Sequence, residues 1–237
     1  MRRAGQIVRE VLELVRSRVK PGATTLDLEK AAEARLTELG VKAAFKGYHG
    51  FPCVLCTSVN SEVVHGIPSA NRVLKEGDIV SVDFGVVVDG YYGDAAITVP
   101  VGQKIDPDTA RLLAVTEASL NAGIAAIRPG ATLGDVGAAV QGVVEAEGFS
   151  VVRDFVGHGI GVHMHEDPQV PNFGEAGRGM KLRKGMVIAI EPMVNAGKPD
   201  VRVMSDGWTA VATDGSMSAH FEHTVAVTAT GATILTE

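Results

Sequence analysis

The sequence predicts an α+β fold built from two related halves of one chain. Residues 21–40 and 129–148 match without gaps at an offset of 108 residues, with seven of twenty positions identical. Residues 74–83 align with 182–191 at the same offset. Two segments that share one offset indicate a duplication. Each half also places a pair of helices before a group of strands, which is the order typical of α+β proteins.

Four helices are predicted from apolar periodicity and from capping residues. Thr24 stands three residues before Asp27, and Thr132 stands three residues before Asp135, which are the spacings of a capping box. A glycine closes each of these two segments, as helices commonly end. The predicted helices cover residues 2–19, 25–39, 107–127 and 132–147.

Strands are predicted wherever Val, Ile and Thr alternate with other residues, over 53–59, 79–88, 91–99, 186–194, 208–213 and 219–228. Asp89–Gly90 is a strong signal for a two-residue hairpin turn between two of them. The turn fixes the register, which places Asp83 opposite Ala96 and Asp94 opposite Gly85. Asp83 and Asp94 are then diagonal neighbours, about 7 to 8 Å apart on one face.

Composition favours a single folded domain, predicted over 1–237, with halves of about 1–105 and 106–237. The chain is 46% hydrophobic and 21% charged, which suits a buried core. A net charge of -6 argues against a nucleic-acid partner, because phosphate binding needs clustered Lys and Arg. Neither a transit peptide nor a membrane helix is predicted, so we expect a cytoplasmic protein.

The only two cysteines, Cys53 and Cys56, form one C-x-x-C pattern. Such a pattern can mark a redox pair or half of a zinc site. A structural zinc would need a second pair of ligands, and the flanking residues do not resemble a redox turn. Two reduced thiols in or beside a strand are therefore the preferred interpretation.

Acidic residues recur in equivalent places of the two halves. Glu191 is the repeat equivalent of Asp83, and Glu222 maps onto Asp94 after an extra loop of about twenty residues. Charges in such apolar strands are costly to bury alone; the alternative is that Asp83 and Asp94 face solvent on an edge hairpin. Four carboxylates balance two divalent cations, and oxygen-rich ligation favours Mn, Fe(II) or Co over zinc.

Histidines follow the same symmetry, with His65 in V-H-G-I-P and His158 in G-H-G-I-G, each ahead of its acidic strand. His163 and His165 form a His-x-His pair, which would suit a mononuclear metal site. That alternative leaves the four acids unexplained.

Several segments together resemble the type I methionine aminopeptidases, which are pita-bread metallopeptidases. They are VNSEVVHGIP, GDIVSVDFG, DGYYGDA, GHGIGVHMHEDPQV, VIAIEPM and SAHFEHT. The resemblance implies a pseudo-twofold pita-bread fold, with an antiparallel sheet core and two helix pairs outside. It implies an enzyme that removes the initiator methionine from N-terminal peptides of nascent proteins when the second residue is small. It also implies two divalent metal ions, whether Co, Mn, Fe(II), Zn or Ni. The acidic charge balance argues against nucleic-acid and membrane partners, and because nothing in the sequence demands a partner subunit we expect a monomer.

The resemblance further implies a role for each matching residue. Asp94 and Glu222 would bridge the ions, Asp83 would complete one, and His158 with Glu191 would complete the other. Glu191 would double as general base, His65 would contact the scissile amide and move protons, and His165 would stabilise the oxyanion. The substrate would also contact Phe45, Tyr48, Phe51, Cys56, Met164 and Trp208.

Some features depart from the family pattern. Met1 abuts the R-x-A-G motif, before which relatives usually carry a short segment, and Met164 occupies a position that is often aromatic. The long helical insertion of the type II branch and a zinc-finger extension are not seen. Two other classes stay open: proline-specific aminopeptidases, which resemble longer chains with an additional N-terminal domain, and non-catalytic pita-bread binding proteins, which lose metal ligands.

Overall fold

The computed structural model describes residues 1–237. It contains four α-helices: α1 (Arg2–Arg16), α2 (Thr25–Leu39), α3 (Pro107–Ala125) and α4 (Leu133–Ala146). All four begin within one residue of the predicted position. The predictions for α1 and α3 run two or three residues too far, because the apolar stripe continues into the following turn, where Val19 packs against the core and Ile127 is buried. No helix combines the length and apolarity needed to cross a bilayer.

Both predicted capping boxes are present. The side chain of Thr24 accepts a hydrogen bond from the Asp27 amide, and the Asp27 carboxylate accepts one from the Thr24 amide. Thr132 and Asp135 make the same exchange at the start of α4. Isolated bridges also match at the offset of 108 residues, since Thr24 pairs with residue 73 and Thr132 pairs with residue 181. The repeated segments therefore occupy equivalent places.

Fifteen strands form three sheets, all of whose pairs are antiparallel. The strands are β1 (Lys42–Ala43), β2 (Leu55–Val59), β3 (Glu62–Val64), β4 (Ile79–Val88), β5 (Tyr91–Pro100), β6 (Ser150–Val151), β7 (Gly157–Gly159), β8 (Glu166–Val170), β9 (Val187–Ile190), β10 (Met193–Asn195), β11 (Val201–Val203), β12 (Ala210–Ala212), β13 (Ser218–His220), β14 (Glu222–Val227) and β15 (Ala232–Ile234). The largest sheet runs in the order β1-β4-β5-β14-β9-β7-β8, with β2 beside β4 and β15 beside β14. Two small sheets are ordered β13-β10-β6 and β11-β12-β3.

Two predicted strands are each broken in the structure. The strand expected over 186–194 divides at Glu191–Pro192 into β9 and β10, and the one expected over 219–228 divides at Phe221 into β13 and β14. Proline has no N–H for a ladder, and the Phe221 amide donates to the Pro192 carbonyl at 3.4 Å. The two breaks face each other: at Glu191–Pro192 the chain passes from the large sheet to a small one, and at Phe221 it passes back to the large sheet. β2 and β12 are also shorter than predicted.

The predicted hairpin register is confirmed. Asp83 pairs with Ala96 and Gly85 pairs with Asp94. The two halves meet where β5 pairs with β14, with Glu222 opposite Ala96. Strand β14 also pairs with β9, so the first-half strands β1, β4 and β5 lie on one side of this junction and the second-half strands β14, β9, β7 and β8 on the other.

The helices pack on one face of the large sheet. The alternate side chains Val82, Phe84 and Val86 of β4 are buried with residues of α1 and α2 in a cluster of 21 buried residues. Successive side chains of a strand point to opposite faces, so Asp83 and Gly85 point away from the helices. This opposite face of the sheet carries the candidate site.

Candidate metal centre and substrate pocket

Three of the four predicted acids converge through strand register. Ala96 of β5 is paired with Asp83 on one side and with Glu222 on the other. Asp94 lies two residues earlier on the same strand and so shares their face. Glu191 follows β9, at the break before Pro192, and completes the group. Two acids therefore come from each half.

The acids share one poorly solvated environment without a basic partner. Asp94 and Glu222 are buried, Asp83 and Glu191 are half-buried, and no Lys or Arg forms an ion pair with them. Burial raises the pKa of Asp94 to about 7. Burial, and then the charges of neighbouring acids, raise the pKa values of Asp83, Glu191 and Glu222 well above the ordinary range. A bound cation would relieve this cost.

Unpaired oxygens show where such a cation fits. One buried oxygen each of Asp83, Asp94 and Glu222 has no hydrogen-bond partner. Ligand atoms of Asp94, His158 and Glu222 all lie within 4.8 Å of one another. Carboxylate oxygens with one imidazole are a donor set that divalent transition metals accept. The residues present therefore fit divalent metal ions.

The ring of His158 is oriented by its local backbone. Its Nδ1–H donates to the carbonyl of Gly159 at 2.9 Å, which leaves Nε2 as the free lone pair, 3.5 Å from Glu191 Oε1. Burial, and then the neighbouring His165, lower the pKa of His158 to about 4, so the ring is neutral, as a ligand must be. Glycine flanks His158 on both sides. A Cβ at Gly157 would collide with the Ala189 carbonyl, and a Cβ at Gly159 would collide with the Asp167 carbonyl.

Two further histidines lie beside this centre. His65 follows β3 in a left-handed backbone conformation, with φ of 61°, and its ring meets Phe155 edge-to-face at 5.5 Å. Burial, and then His165, lower the pKa of His65 to about 4. His165 Nδ1 is 2.8 Å from the Tyr48 hydroxyl, and its ring centroid is 4.3 Å from that of His158.

The four acids and several apolar side chains line one cavity of about 230 Å³. Sites for drug-sized ligands are roughly 300 to 1,000 Å³, so this one suits a ligand group the size of one side chain. Phe51 and Trp208 meet edge-to-face at 5.1 Å in its wall. Trp208 lies between β11 and β12. This segment belongs to the extra loop that precedes Glu222 in the second half and has no equivalent in the first half.

The structure brings every predicted site residue to this one cavity. Its lining includes the predicted ligands, the predicted histidines and the predicted pocket residues, namely Phe45, Tyr48, Phe51, Cys56, His65, Asp83, Asp94, His158, Met164, His165, Glu191, Trp208 and Glu222. His49 also lines it and was not predicted. His49 is exposed and has a left-handed backbone, with φ of 48°, a conformation that no sequence pattern signals.

The structure shows neither a His-x-His metal site at His163 nor a bond between the two cysteines. His163 is exposed, its amide donates to Glu166 at 2.8 Å, and it does not line the cavity, so no His-x-His site forms. Cys53 and Cys56 are free thiols, as expected. Burial raises the pKa of Cys53 to about 11 and raises that of Cys56, so neither is an activated thiolate.

Comparison with known proteins gives consistent matches over the chain. The model of metallopeptidase family M24 matches residues 1–229. Methionine aminopeptidase of Clostridium acetobutylicum is 51% identical and methionine aminopeptidase 1 of Bacillus subtilis is 50% identical, each over all of this chain and 94% of the relative. The crystal structure of methionine aminopeptidase from Thermotoga maritima superposes with a TM-score of 0.98 at 52% identity, covering 100% of this chain and 95% of that one. The prolidase of Pyrococcus horikoshii shares the fold, with a TM-score of 0.79 at 20% identity, and this chain spans 60% of its length.

Proposed function

The chain belongs to metallopeptidase family M24, and from that membership and the geometry of the cavity we infer that it is a methionyl aminopeptidase, a metal-dependent enzyme that removes N-terminal methionine. The relatives that match it over its full length are named methionine aminopeptidases. The observation that carries the proposal is the convergence of four acids from both halves on one cavity with an apolar wall.

The metal centre is proposed to hold two divalent ions. Asp94 and Glu222, which are buried at the junction of the halves, would hold both ions, Asp83 would complete one site, and His158 with Glu191 would complete the other. The oxygens without partners and the raised pKa values of these carboxyls support this ligand set. Mn, Fe(II) and Co suit the ligands best, and Zn and Ni are also accepted. When bound, such ions supply Lewis-acid activation of a water molecule and of the scissile carbonyl.

The remaining residues move protons and hold charge. Glu191 accepts the proton of the attacking water. His65, a neutral imidazole, contacts the scissile amide and relays to the leaving amine the proton that Glu191 took from the water. His165 stabilises the oxyanion, and its contact with the Tyr48 hydroxyl fixes its ring. Positioned acid–base groups of this kind contribute roughly 10²- to 10⁴-fold in rate.

Substrate selection follows from the pocket. Its apolar wall, formed by Phe45, Phe51, Met164 and Trp208 with Cys56 at the side, suits the flexible thioether of methionine. The substrates proposed are N-terminal peptides of nascent proteins with a small second residue. A cytoplasmic location and a monomeric state stay predictions, as do the boundaries of the two halves.

Peptide hydrolysis tests the proposal. The metal-free protein should be inactive, and Mn²⁺, Co²⁺ or Fe²⁺ should restore cleavage of Met-Ala-Ser. Met-Leu-Ser should be cleaved much more slowly, and peptides of the form Xaa-Pro should not be cleaved. Full activity after exhaustive chelation would contradict the metal centre, whereas preferred cleavage of Xaa-Pro peptides would contradict the assigned substrate.

A further inference from the structure

His220 is a buried histidine that the mechanism above does not use. It lies in β13, is 1% exposed and pairs with Met193 of β10. Its backbone is fixed by Thr98, whose hydroxyl accepts from the His220 amide at 2.9 Å and donates to the His220 carbonyl at 2.7 Å. The ring is therefore carried on a rigid segment behind the cavity, and it is not among the residues that line it.

Neither ring nitrogen of His220 has a hydrogen-bond partner. At its ordinary pKa of about 6.5 an imidazole is neutral at pH 7.5 and carries one N–H. Leaving that donor buried and unpaired is energetically costly. Because buried donors are nearly always hydrogen-bonded, we expect an acceptor close to this ring.

The acceptor in reach is Glu191. His220 Nε2 is 3.8 Å from Glu191 Oε2, while His158 Nε2 is 3.5 Å from Glu191 Oε1. The carboxylate thus stands between two imidazoles, one at each oxygen. A gap of 3.8 Å has no room for a bridging water, and shortening it by about 1 Å gives an ordinary N–H···O hydrogen bond.

We propose that His220 is a positioning residue that donates from Nε2 to Glu191 Oε2, and so fixes the rotation of this carboxylate. This inference rests on the proposed function, in which Glu191 is both a ligand and the general base. When Oε2 accepts this hydrogen bond, Oε1 stays directed toward His158, which lines the cavity. Removing a residue that forms a hydrogen bond with a metal ligand typically lowers the metal affinity or the activity by roughly 10- to 100-fold.

Two variants of matched size test the proposal. His220→Gln keeps an N–H donor, whereas His220→Met has a side chain of similar length without one. The Met variant should bind Mn²⁺ about 10- to 100-fold more weakly by calorimetry on the chelated protein, and its kcat for Met-Ala-Ser should fall while KM changes little. The Gln variant should keep most of the wild-type affinity for Mn²⁺ and most of the wild-type kcat. Thermal unfolding of both metal-free variants controls for folding.

Equal behaviour of the two variants would overturn the proposal, whether both match the wild type or both are impaired alike, because the N–H donor would then make no difference. Nitrogen NMR of the labelled wild type gives a readout without substitution: the ring of His220 should be the Nε2–H tautomer, and an Nδ1–H tautomer would overturn the proposal even if neither variant folds. A wild type that neither binds Mn²⁺ nor cleaves the peptide would instead overturn the proposed function, and this inference with it.

Discussion

Thr224 and Asp94 exchange two hydrogen bonds across the junction of the two halves. The Asp94 amide donates to Thr224 Oγ1 at 3.1 Å, and the same hydroxyl donates to the Asp94 carbonyl at 2.7 Å. Both residues are buried. Thr224 thereby closes a gap in the ladder between β5 and β14 and fixes the backbone of a proposed bridging ligand.

Replacing Thr224 by Val, which has the same shape, should leave the Asp94 amide without a partner. An unsatisfied buried group costs about 1 to 3 kcal/mol, so the free energy of unfolding in urea should fall by that amount. Thr230→Val, in an exposed turn, is the matched control and should change it by less than about 0.5 kcal/mol. An unchanged stability of Thr224→Val would show that water or a backbone shift satisfies Asp94.

Asp94→Asn should stabilise the metal-free protein while abolishing activity. The folded pKa of Asp94 is raised to about 7 from an ordinary 3.8, so the folded protein resists losing this proton and the penalty is complete above pH 7. As the pH falls from 7 toward 4 the folded carboxyl becomes protonated, and the penalty is relieved. The difference in free energy of unfolding between variant and wild type should therefore be largest at pH 8 and shrink by pH 5.

Urea titrations of chelated protein at both pH values measure this difference, and comparing two proteins at each pH cancels the contributions of the buried histidines. The exposed Asp154→Asn is the control, for which no such trend is expected. An Asp94→Asn variant less stable than the wild type at pH 8 would argue against buried like charges in the metal-free site.

His65→Ala should lower kcat by about 10²- to 10⁴-fold, as expected for loss of a positioned acid–base group. Metal content, measured by atomic absorption, should not change, because His65 is not a proposed ligand. His163→Ala removes an exposed histidine outside the cavity and should keep full activity. If His65→Ala lost its metal, the residue would have to be reassigned as a ligand.

Methionine should change the fluorescence of Trp208, the only tryptophan of the chain. The ring lies in the pocket wall against Phe51, so a side chain entering the pocket alters its surroundings. Titration with L-methionine should give a saturable change, and glycine, which cannot fill the pocket, should give none. Equal responses to the two amino acids would place the methionine pocket elsewhere.

Local signals predicted the four helices and the segments that form eight of the fifteen strands, but not β1, β3, β6, β7, β8, β11 or β15. Capping residues marked the starts of α2 and α4, and Asp89–Gly90 fixed the register that aligns Asp83 with Asp94. The division of the strands at Glu191–Pro192 and at Phe221 was not predicted, since apolar alternation continues through both breaks and only the meeting of two distant segments explains them.

All the proposed ligands and pocket residues were named from the sequence, whereas His49 and His220 were not, for different reasons. The two-fold recurrence of acids located the four proposed carboxylate ligands, and the family resemblance supplied the residues of the proposed pocket. His49 depends on a left-handed backbone that leaves no pattern. His220 had a faint signal, because it stands two residues before Glu222, but its relation to Glu191 arises from contact between β10 and β13.

The position of Glu222 at the junction of the halves determines when, during biosynthesis, the chain can bind metal ions. During translation Asp83 and Asp94 leave the ribosome well before Glu191 and Glu222, and the earlier segment presents only half of the acids. We expect ion capture to be a late event that follows closure of β5 against β14, so that partly made chains carry no tightly held ion.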